Sequence, residues 1–386
     1  MSTPTLRALG HARLWVGGGG EEPVTVSERQ VRRMKMSADR ARSLKRMAVF
    51  GASLMLAVGA AAGCGSGGGS SAGGSKGGPV GYAAPFLTDP FQAVLQSQTM
   101  HLLKSRGVKT LSPTNANNDP GRQATDVRNL VTGGAKGLIL LPVDPQAIIP
   151  TVTYANGKKI PIVTIDKAPA GGKVAMIVRA NNVLMGELAC KYLGGTLKGT
   201  GKVLELQGDL ADINGRDRTD GFEKCMRQNY PGIQVIAKPT KWQTANAANA
   251  AQTVLTANQD LKGIYMESDS VMLSAVLNVL KRAGKDAKLG QPGHIHLVSI
   301  DGTPLALAKI RSGELDAAVS QPLNLYAKYG VEYLTGALKG ETFKPGPTDH
   351  DSTIVKFQGN LMDLLPSPLV TKKSVDDPQL WGNQAK

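Results

Sequence analysis

Short apolar runs alternate with longer amphipathic stretches along the chain from Pro79 onward. The apolar runs predict strands at 80–87, 108–112, 137–141, 161–165, 174–178, 202–207, 233–237, 263–266, 296–300 and 317–320. The amphipathic stretches predict helices at 90–105, 119–133, 144–156, 181–195, 214–229, 243–258, 269–284, 303–312 and 322–339. This alternation predicts an α/β fold built from βαβ units. Ten strands fit two hydrophobic cores better than one. We therefore expect two lobes, each with a doubly wound parallel sheet.

Polar residues follow most of the predicted strands. Ligands of open α/β sheets bind beyond the carboxyl ends of the strands, so these positions predict the site. Four carboxylates and one arginine occur there, namely Asp89, Asp166, Arg216, Asp269 and Asp301. An aspartate before a helix is also an ordinary N-cap, and that alternative stays open for each of them. Four carboxylates at one sheet edge with an arginine nearby favour a shared polar cleft.

The histidines and cysteines do not indicate metal chemistry. The five histidines are scattered without an H-E-x-x-H pattern, and the three cysteines lack C-x-x-C spacing. We therefore expect no metal and no cofactor, which argues against a zinc hydrolase but not against every enzyme. A glycosidase that uses Asp166 and Asp301 as its pair of carboxylates is the enzymatic alternative.

The net charge of +15 raises the question of nucleic acid binding. Residues 1–46 carry ten basic against four acidic side chains, and the rest of the excess is spread thinly over the remaining chain. A basic stripe interleaved with aromatic residues is absent from that remainder, so we expect a solvated basic surface and no nucleic acid partner.

The segment before Pro79 has the composition of an export signal. Basic residues at 35–46 precede an uncharged apolar run of 17 residues, 47–63, which is marginally short for a membrane span. Small residues end this run directly before Cys64, which resembles a bacterial lipoprotein signal in which the cysteine is lipidated after cleavage. We therefore expect 1–63 to be a leader. A membrane anchor with an incidental buried cysteine is the alternative.

Residues 64–78 are mostly Gly, Ser and Ala, which is typical of a flexible tether. A tether after a lipidated cysteine would let the body of the protein move just outside the membrane. Residues 1–34 match no part of a signal, and the start site therefore stays open among Met1, Met34, Met36 and Met47.

Six stretches of the body carry a family resemblance. They are LILLPVD at 138–144, IVTID at 162–166, VLELQG at 203–208, RDRTDGF at 216–222, VSIDGTP at 298–304 and GELDAAVSQ at 313–321. In order and spacing they resemble the type I periplasmic binding proteins, in the ribose-binding branch of sugar-import receptors. The resemblance implies two lobes joined by three crossings that close around one sugar. It assigns 79–180 plus 322–339 to the first lobe and 181–321 plus 340–386 to the second.

The resemblance also implies a set of ligand contacts. Carried over by position, they are Asp89, Phe91, Asp166, Arg216, Trp242, Ser268, Asp301 and Gln321. Carboxylates accept hydrogen bonds from sugar hydroxyls, a guanidinium donates a fork of them, and aromatic rings cover C–H faces. Core packing is the alternative for each aromatic residue. Lys167 replaces the arginine of the ribose receptors' Asp-Arg pair, and Leu141 and Gln92 replace an Asn and a Phe, so the identity of the sugar stays open.

The function that the resemblance implies is transport without catalysis. The protein would be a monomeric receptor, anchored by its lipid on the outer face of the cytoplasmic membrane, that delivers a monosaccharide or polyol to the permease subunits of an ABC importer. A sensory receptor for a furanose-type signal that docks on a membrane sensor is the alternative.

Cys190 and Cys225 lie on predicted helices that flank the strand at 202–207. Disulfides persist outside the cytoplasm. A bridge between the two cysteines and two separate buried thiols are the alternatives.

Overall fold

The computed structural model describes residues 78–385. Its strands are β1 (Val80–Ala84), β2 (Thr114–Asn115), β3 (Gly137–Leu140), β4 (Ile162–Ile165), β5 (Met176–Ala180), β6 (Thr200–Gln207), β7 (Gly232–Pro239), β8 (Leu261–Met266), β9 (His296–Asp301), β10 (Ala317–Ser320), β11 (Gly346–Pro347), β12 (Thr353–Phe357), β13 (Asn360–Leu365) and β14 (Leu369–Thr371). Its helices are α1 (Pro90–Ser105), α2 (Pro120–Thr132), α3 (Ile149–Gly157), α4 (Asn182–Thr196), α5 (Ile213–Asn229), α6 (Thr244–Ala257), α7 (Asp269–Arg282), α8 (Pro304–Ser312), α9 (Leu323–Leu338) and α10 (Trp381–Gln384). The predicted leader, the lipidation site at Cys64 and the tether up to residue 77 lie outside the described residues.

The first lobe is built on a sheet in the order β11-β12-β13-β5-β4-β3-β1-β2. Strands β1 to β5 and β13 pair in parallel, and β11, β12 and β13 form an antiparallel edge. The strands β3, β4 and β5 are buried on both faces, as expected for a parallel sheet between helices. The order reverses at β1, which places a switch point, and hence a potential ligand site, at the carboxyl end of that strand.

The second lobe is built on a sheet in the order β14-β10-β9-β8-β6-β7. All of its pairs are parallel except that of β10 with β14. Its order reverses at β6, so both lobes carry a switch point of the same kind. The doubly wound α/β fold with two lobes that the sequence predicts is therefore confirmed.

The chain passes from one sheet to the other three times, after β5, after β10 and after β13. Helix α9 follows the second crossing and packs back on the first lobe, against α1 and β4. The connections leave or enter paired strands, β5 with β13 and β10 with β14, so they lie near one another. Such an arrangement lets two lobes rotate about a hinge.

The C-terminal region departs from the predicted lobe division. Residues 340–386 are predicted to return to the second lobe as a whole, but β11, β12 and β13 extend the first sheet, and β14 joins the second. A tight hairpin forms at Gln358 and Gly359, which both have positive φ, and it aligns β13 beside β5. The prediction is wrong here because β13 pairs with a strand that lies far away in the sequence.

The helices α4 and α5 pack closely in the second lobe. A Cβ atom on Gly186 or on Gly221 would collide with the backbone of the opposite helix, so both positions require glycine for this approach. The sulfur atoms of Cys190 and Cys225 are bonded between the same two helices. None of the helices between residues 78 and 385 combines the length and the apolar character needed to cross a membrane.

Candidate functional site

A cavity lies between the lobes at the carboxyl ends of their strands, and we call it the central cavity. Its walls are Phe86, Asp89, Phe91, Gln92, Asp166, Lys167, Asp212, Asn214, Arg218, Trp242, Ser268, Val271, Asp301 and Gln321. It adjoins an outer groove of about 740 Å³ that shares several of these walls. Every residue that the sequence predicts as a ligand contact lines the central cavity except Arg216.

Asp166 provides the acidic group at the end of β4. Its backbone has a φ of +66°, which turns the chain sharply after the strand. One carboxylate oxygen accepts a hydrogen bond from Gln92 Nε2 at 3.1 Å, and the other accepts one from Asn214 Nδ2 at 3.0 Å. Because Gln92 belongs to the first lobe and Asn214 to the second, this carboxylate connects the two walls of the cavity.

Asp301 provides the acidic group at the end of β9. Its Oδ2 accepts a hydrogen bond from Ser268 Oγ at 2.6 Å, and its Oδ1 lies 3.3 Å from Gln321 Nε2. Trp381 Nε1 donates to its backbone carbonyl at 2.7 Å. Asp269 instead accepts hydrogen bonds from the backbone of the turn that follows β9, so it supports the turn and does not line the cavity.

The guanidinium of the central cavity belongs to Arg218, and the prediction of Arg216 is wrong. Arg216 is exposed and donates to the backbone carbonyls of Leu210 and Ala211. Helix α5 begins at Ile213, so Asn214 and Arg218 lie one turn apart on the face that meets the cavity, and position 216 points elsewhere.

Contacts within the second lobe hold Arg218 in position. Its Nε donates to Asn182 Oδ1 at 2.8 Å, and its Nη1 donates to the carbonyl of Glu267. Nη1 also lies 3.8 Å from Asp301 Oδ1, and the guanidinium lies over the ring of Trp242, 5.5 Å from its centre. A cation held between a carboxylate and an indole in this way is fixed in position before a ligand enters.

A continuous polar network joins the two acidic groups. Asp166 accepts from Asn214, whose side-chain oxygen accepts from Asn182 Nδ2 at 3.3 Å. Asn182 in turn accepts from Arg218, which faces Asp301. The position of each carboxylate is therefore coupled to that of the other by three hydrogen bonds in sequence and the ion pair between Arg218 and Asp301.

Two further contacts join the lobes at the mouth of the cavity. Lys167 Nζ lies 2.5 Å from Asp212 Oδ2, with both side chains largely buried. Ser270 Oγ donates to Asp89 Oδ1, which also caps α1 by accepting from the backbone nitrogen of Phe91 at 3.0 Å. The lobes are thus closed on one another across the site.

The two aromatic walls differ in what they contact. Phe91 is buried and packs edge to face against Tyr326 and Trp381, with ring centres 6.2 and 5.9 Å apart. Trp242 is half-buried, has a φ of +57°, and directs its Nε1 toward Asp212 Oδ2 at 3.3 Å. Its ring lies over Gly208, where a Cβ would collide with it. Both rings meet the cavity, so core packing alone does not account for them.

Burial dominates the electrostatics of the cavity. It raises the pKa of Asp301 to about 8, against the opposing effect of Arg218. Burial also raises the pKa of Asp166 and of Asp89. Asp212 is the exception, because the ion pair with Lys167 outweighs burial and lowers its pKa.

Sequence reasoning missed several contributors to the cavity, among them Arg218, Asn214 and Val271. Arg218 and Asn214 were recoverable, since the capping aspartate at 212 sets the start of α5 and hence the face on which both lie. Val271 gave no signal, because it lies in an ordinary helical pattern and is placed at the cavity beside Ser270, whose hydroxyl contacts Asp89 of the first lobe. Chemically, the site offers fixed hydrogen-bond acceptors and donors at close range.

Comparisons with known proteins identify the family of this chain. A sequence profile described as a periplasmic binding protein domain matches residues 80–342. The ribose import binding protein of Bacillus subtilis is 30% identical over 263 residues, which cover 68% of this chain and 82% of that protein. The xylitol-binding protein of Mycolicibacterium smegmatis is 28% identical over 234 residues, which cover 60% of this chain and 64% of that protein.

Solved structures give the same result for the fold. The crystal structure of an ABC transporter solute-binding protein from Mycobacterium smegmatis with bound glycerol is similar, with a TM-score of 0.67 and 25% sequence identity. The similarity covers 78% of this chain and 96% of that one. On its sequence and its fold, this chain belongs to the periplasmic binding protein family and is similar within it to the substrate-binding proteins of sugar importers.

Proposed function

We propose that this protein binds one monosaccharide or polyol in the central cavity and delivers it to an ABC import permease, without catalysis. The observation that carries the proposal is the ring of hydrogen-bonding side chains, with Asp166 and Asp301 as acceptors and Arg218 as a donor, inside a cleft closed by two lobes. Hydroxyl groups both donate and accept, so a polyhydroxylated guest can satisfy both kinds of partner at once.

The charges of the cavity favour a neutral guest. Lys167 and Asp212 neutralise one another. Burial raises the pKa of Asp89, Asp166 and Asp301 and so disfavours their charged forms. An anion would have to approach Asp89, Asp166 and Asp301. A cation would have to approach the guanidinium of Arg218. A buried charge without a partner is costly, so a neutral ligand with many hydroxyls fits best.

The size and chemistry of the relatives' ligands support this class. One relative is named for ribose and another for xylitol, and the similar crystal structure holds glycerol. All three ligands are neutral and rich in hydroxyls. The replacement of a second guanidinium by Lys167 distinguishes the site from the ribose receptors, so we propose a pentose, a furanose or an acyclic polyol and not ribose in particular.

Delivery would depend on closure of the lobes. Contacts across the cleft, such as Asp89 with Ser270, bring together surfaces of both lobes that a permease could recognise only in the closed form. Family membership implies action outside the cytoplasm, and we propose anchoring through a lipid on Cys64 with the protein acting as a monomer.

A thermal-shift screen against pentoses, hexoses, polyols and inositols tests the proposal. A ligand that binds only the folded protein increases its free energy of unfolding, by about 2.7 kcal/mol at a ligand concentration of 100 Kd. The melting temperature rises accordingly. We expect stabilisation by at least one of these sugars, its loss in Arg218→Ala, and its retention in Arg216→Ala, the matched exposed arginine. No stabilisation by any compound, or equal effects of the two substitutions, would refute the assignment.

A further inference from the structure

Three potential metal ligands meet at the end of the second sheet opposite the central cavity. His294 Nε2 lies 2.7 Å from Asp316 Oδ1, and His296 Nδ1 lies 2.9 Å from Asp316 Oδ2. One ligand atom from each residue falls within 4.8 Å of the others. His296 is the first residue of β9 and Asp301 is the last, so the strand separates this cluster from the cavity by roughly 17 Å.

The cluster is built into the fold and is not a chance encounter of surface side chains. The side chain of Asp316 is completely buried, that of His294 is 5% exposed, and that of His296 is 24% exposed. Asp316 precedes β10 and the two histidines enclose the start of β9, which is paired with β10. A buried carboxylate without surrounding donors would be costly, so this arrangement requires cationic or hydrogen-bonding partners.

Backbone groups orient two of the three side chains. The carbonyl of Ala287 lies 2.6 Å from His294 Nδ1, which leaves Nε2 directed at Asp316. The backbone nitrogen of Leu297 donates to Asp316 Oδ2 at 3.0 Å. A histidine whose second nitrogen bonds a backbone carbonyl is the usual arrangement in metal sites, since this bond fixes the ring and raises the basicity of the ligating nitrogen.

We propose that His294, His296 and Asp316 form a site for a divalent transition-metal ion, with zinc as the best match. Two imidazoles and one carboxylate suit zinc, which takes such ligands at about 2.0–2.2 Å in tetrahedral geometry. The ion would replace the protons now shared between the rings and the carboxylate. Each N–O pair would need to open from its present distance to about 3.4 Å to surround the ion.

Water from a neighbouring surface cavity could supply the fourth ligand. His294 lines a surface cavity of about 230 Å³, which water can enter. Lys281, Lys285 and Lys309 also line it, and they would disfavour a highly charged complex. Lys309 is paired with Glu314 at 2.9 Å, and a site with one carboxylate carries a net charge of only +1 after metal binding.

The ion would tie three segments of the second lobe together. The residues between α7 and β9 contain no helix or strand and are connected to the sheet at His294. Metal coordination would fix the end of this connection against the starts of β9 and β10. We therefore assign the site a stabilising role that is independent of ligand binding in the central cavity.

Zinc titration of the metal-stripped, folded protein tests the site. Isothermal titration calorimetry should show one zinc ion per chain, and Co²⁺ should give the visible d–d absorption of a tetrahedral complex. His294→Gln and His296→Gln should each weaken zinc binding at least tenfold. The matched control is His350→Gln, because His350 also contacts two carboxylates, Asp349 and Asp363, but has no second imidazole beside it.

The results separate a metal site from a purely structural ion pair. Saturable binding that survives in the His350 variant and is lost in the other two supports the proposal. Absence of saturable binding in the wild-type protein, or affinity that is equal in all variants, overturns it. His296 is the most exposed of the three ligands, so its variant carries the test if His294→Gln does not fold. Sugar binding is measured separately, and its failure would leave this outcome unaffected.

Discussion

Replacing Asp301 by asparagine should separate the effect of this buried carboxylate on protein stability from its contribution to sugar affinity. Burial raises the pKa of Asp301 to about 8 from 3.8, so the folded protein retains a proton that the unfolded chain releases. Stability of the free protein therefore falls as the pH rises from about 4 through about 8, by at most about 1.4 kcal/mol per pH unit from this group. An asparagine side chain has no such proton, and the Asp301→Asn variant should gain stability relative to wild type across the same window.

The effect on ligand binding should have the opposite sign. Hydroxyl groups that donate to Asp301 favour its ionised form, so sugar binding near neutral pH should release a proton. Wild-type affinity should then rise by up to tenfold per pH unit between about pH 6 and 8. Asparagine loses a charge-assisted hydrogen bond worth about 1.5–3 kcal/mol, which weakens binding about tenfold to a hundredfold at pH 9.

Thermal melts at pH 5, 7 and 9 and calorimetric titrations with the sugar found by screening measure both effects. Asp220→Asn is the matched control, because Asp220 is exposed on the same helix as Arg218. Its melting temperature and affinity should follow the wild type at every pH. If Asp301→Asn bound sugar as tightly as the wild type at pH 9, the expectation for binding would be contradicted. If the variant lost stability relative to the wild type as the pH rises, the expectation for stability would be contradicted.

Three further substitutions test separate features of the site and the fold. Arg218→Lys should weaken sugar binding at least tenfold because a single ammonium cannot reproduce the guanidinium fork, whereas Arg216→Lys should leave calorimetric affinity unchanged. Gly208→Ala places a methyl group against the ring of Trp242, so it should cost about 1–3 kcal/mol in a denaturant titration and also weaken binding; unchanged values would contradict the packing. Cys190→Ser opens a bridge across 35 residues and should lower stability by roughly 3–4 kcal/mol, and free thiols in the oxidised wild-type protein would contradict the bridge.

The alternation of strands and helices made the two-lobe fold predictable. Each βαβ unit is local, so the apolar period of each segment identifies it, and both sheets follow from the repetition. The segment 108–112 shows where local pattern stops being informative. It predicts a strand, but the structure has an isolated bridge at Thr110 and a short β2 at Thr114–Asn115, because neighbouring contacts and not local preference decide how much of a segment pairs at a sheet edge.

At the site, long-range contacts limit how much could be predicted from the sequence. Asp166 and Asp301 were predictable because each directly follows a strand, and that position defines the sheet edge. The start of α5 was predicted to within one residue, and Arg218 was missed because the carry-over by position selected Arg216, which lies two residues away on the opposite face of the helix. Trp381 bonds the carbonyl of Asp301 from a segment eighty residues away, and no local pattern indicates such a contact.

The ion pair between Lys167 and Asp212 has a kinetic consequence. A sugar can reach the interior only while this pair and the contact between Asp89 and Ser270 are broken. If the lobes must open before a sugar enters, the observed binding rate in stopped-flow experiments should level off at high sugar concentration at the rate of opening. Neutralising Lys167 should raise this limiting rate. The protein would then exchange its sugar faster while keeping the side chains that recognise the sugar.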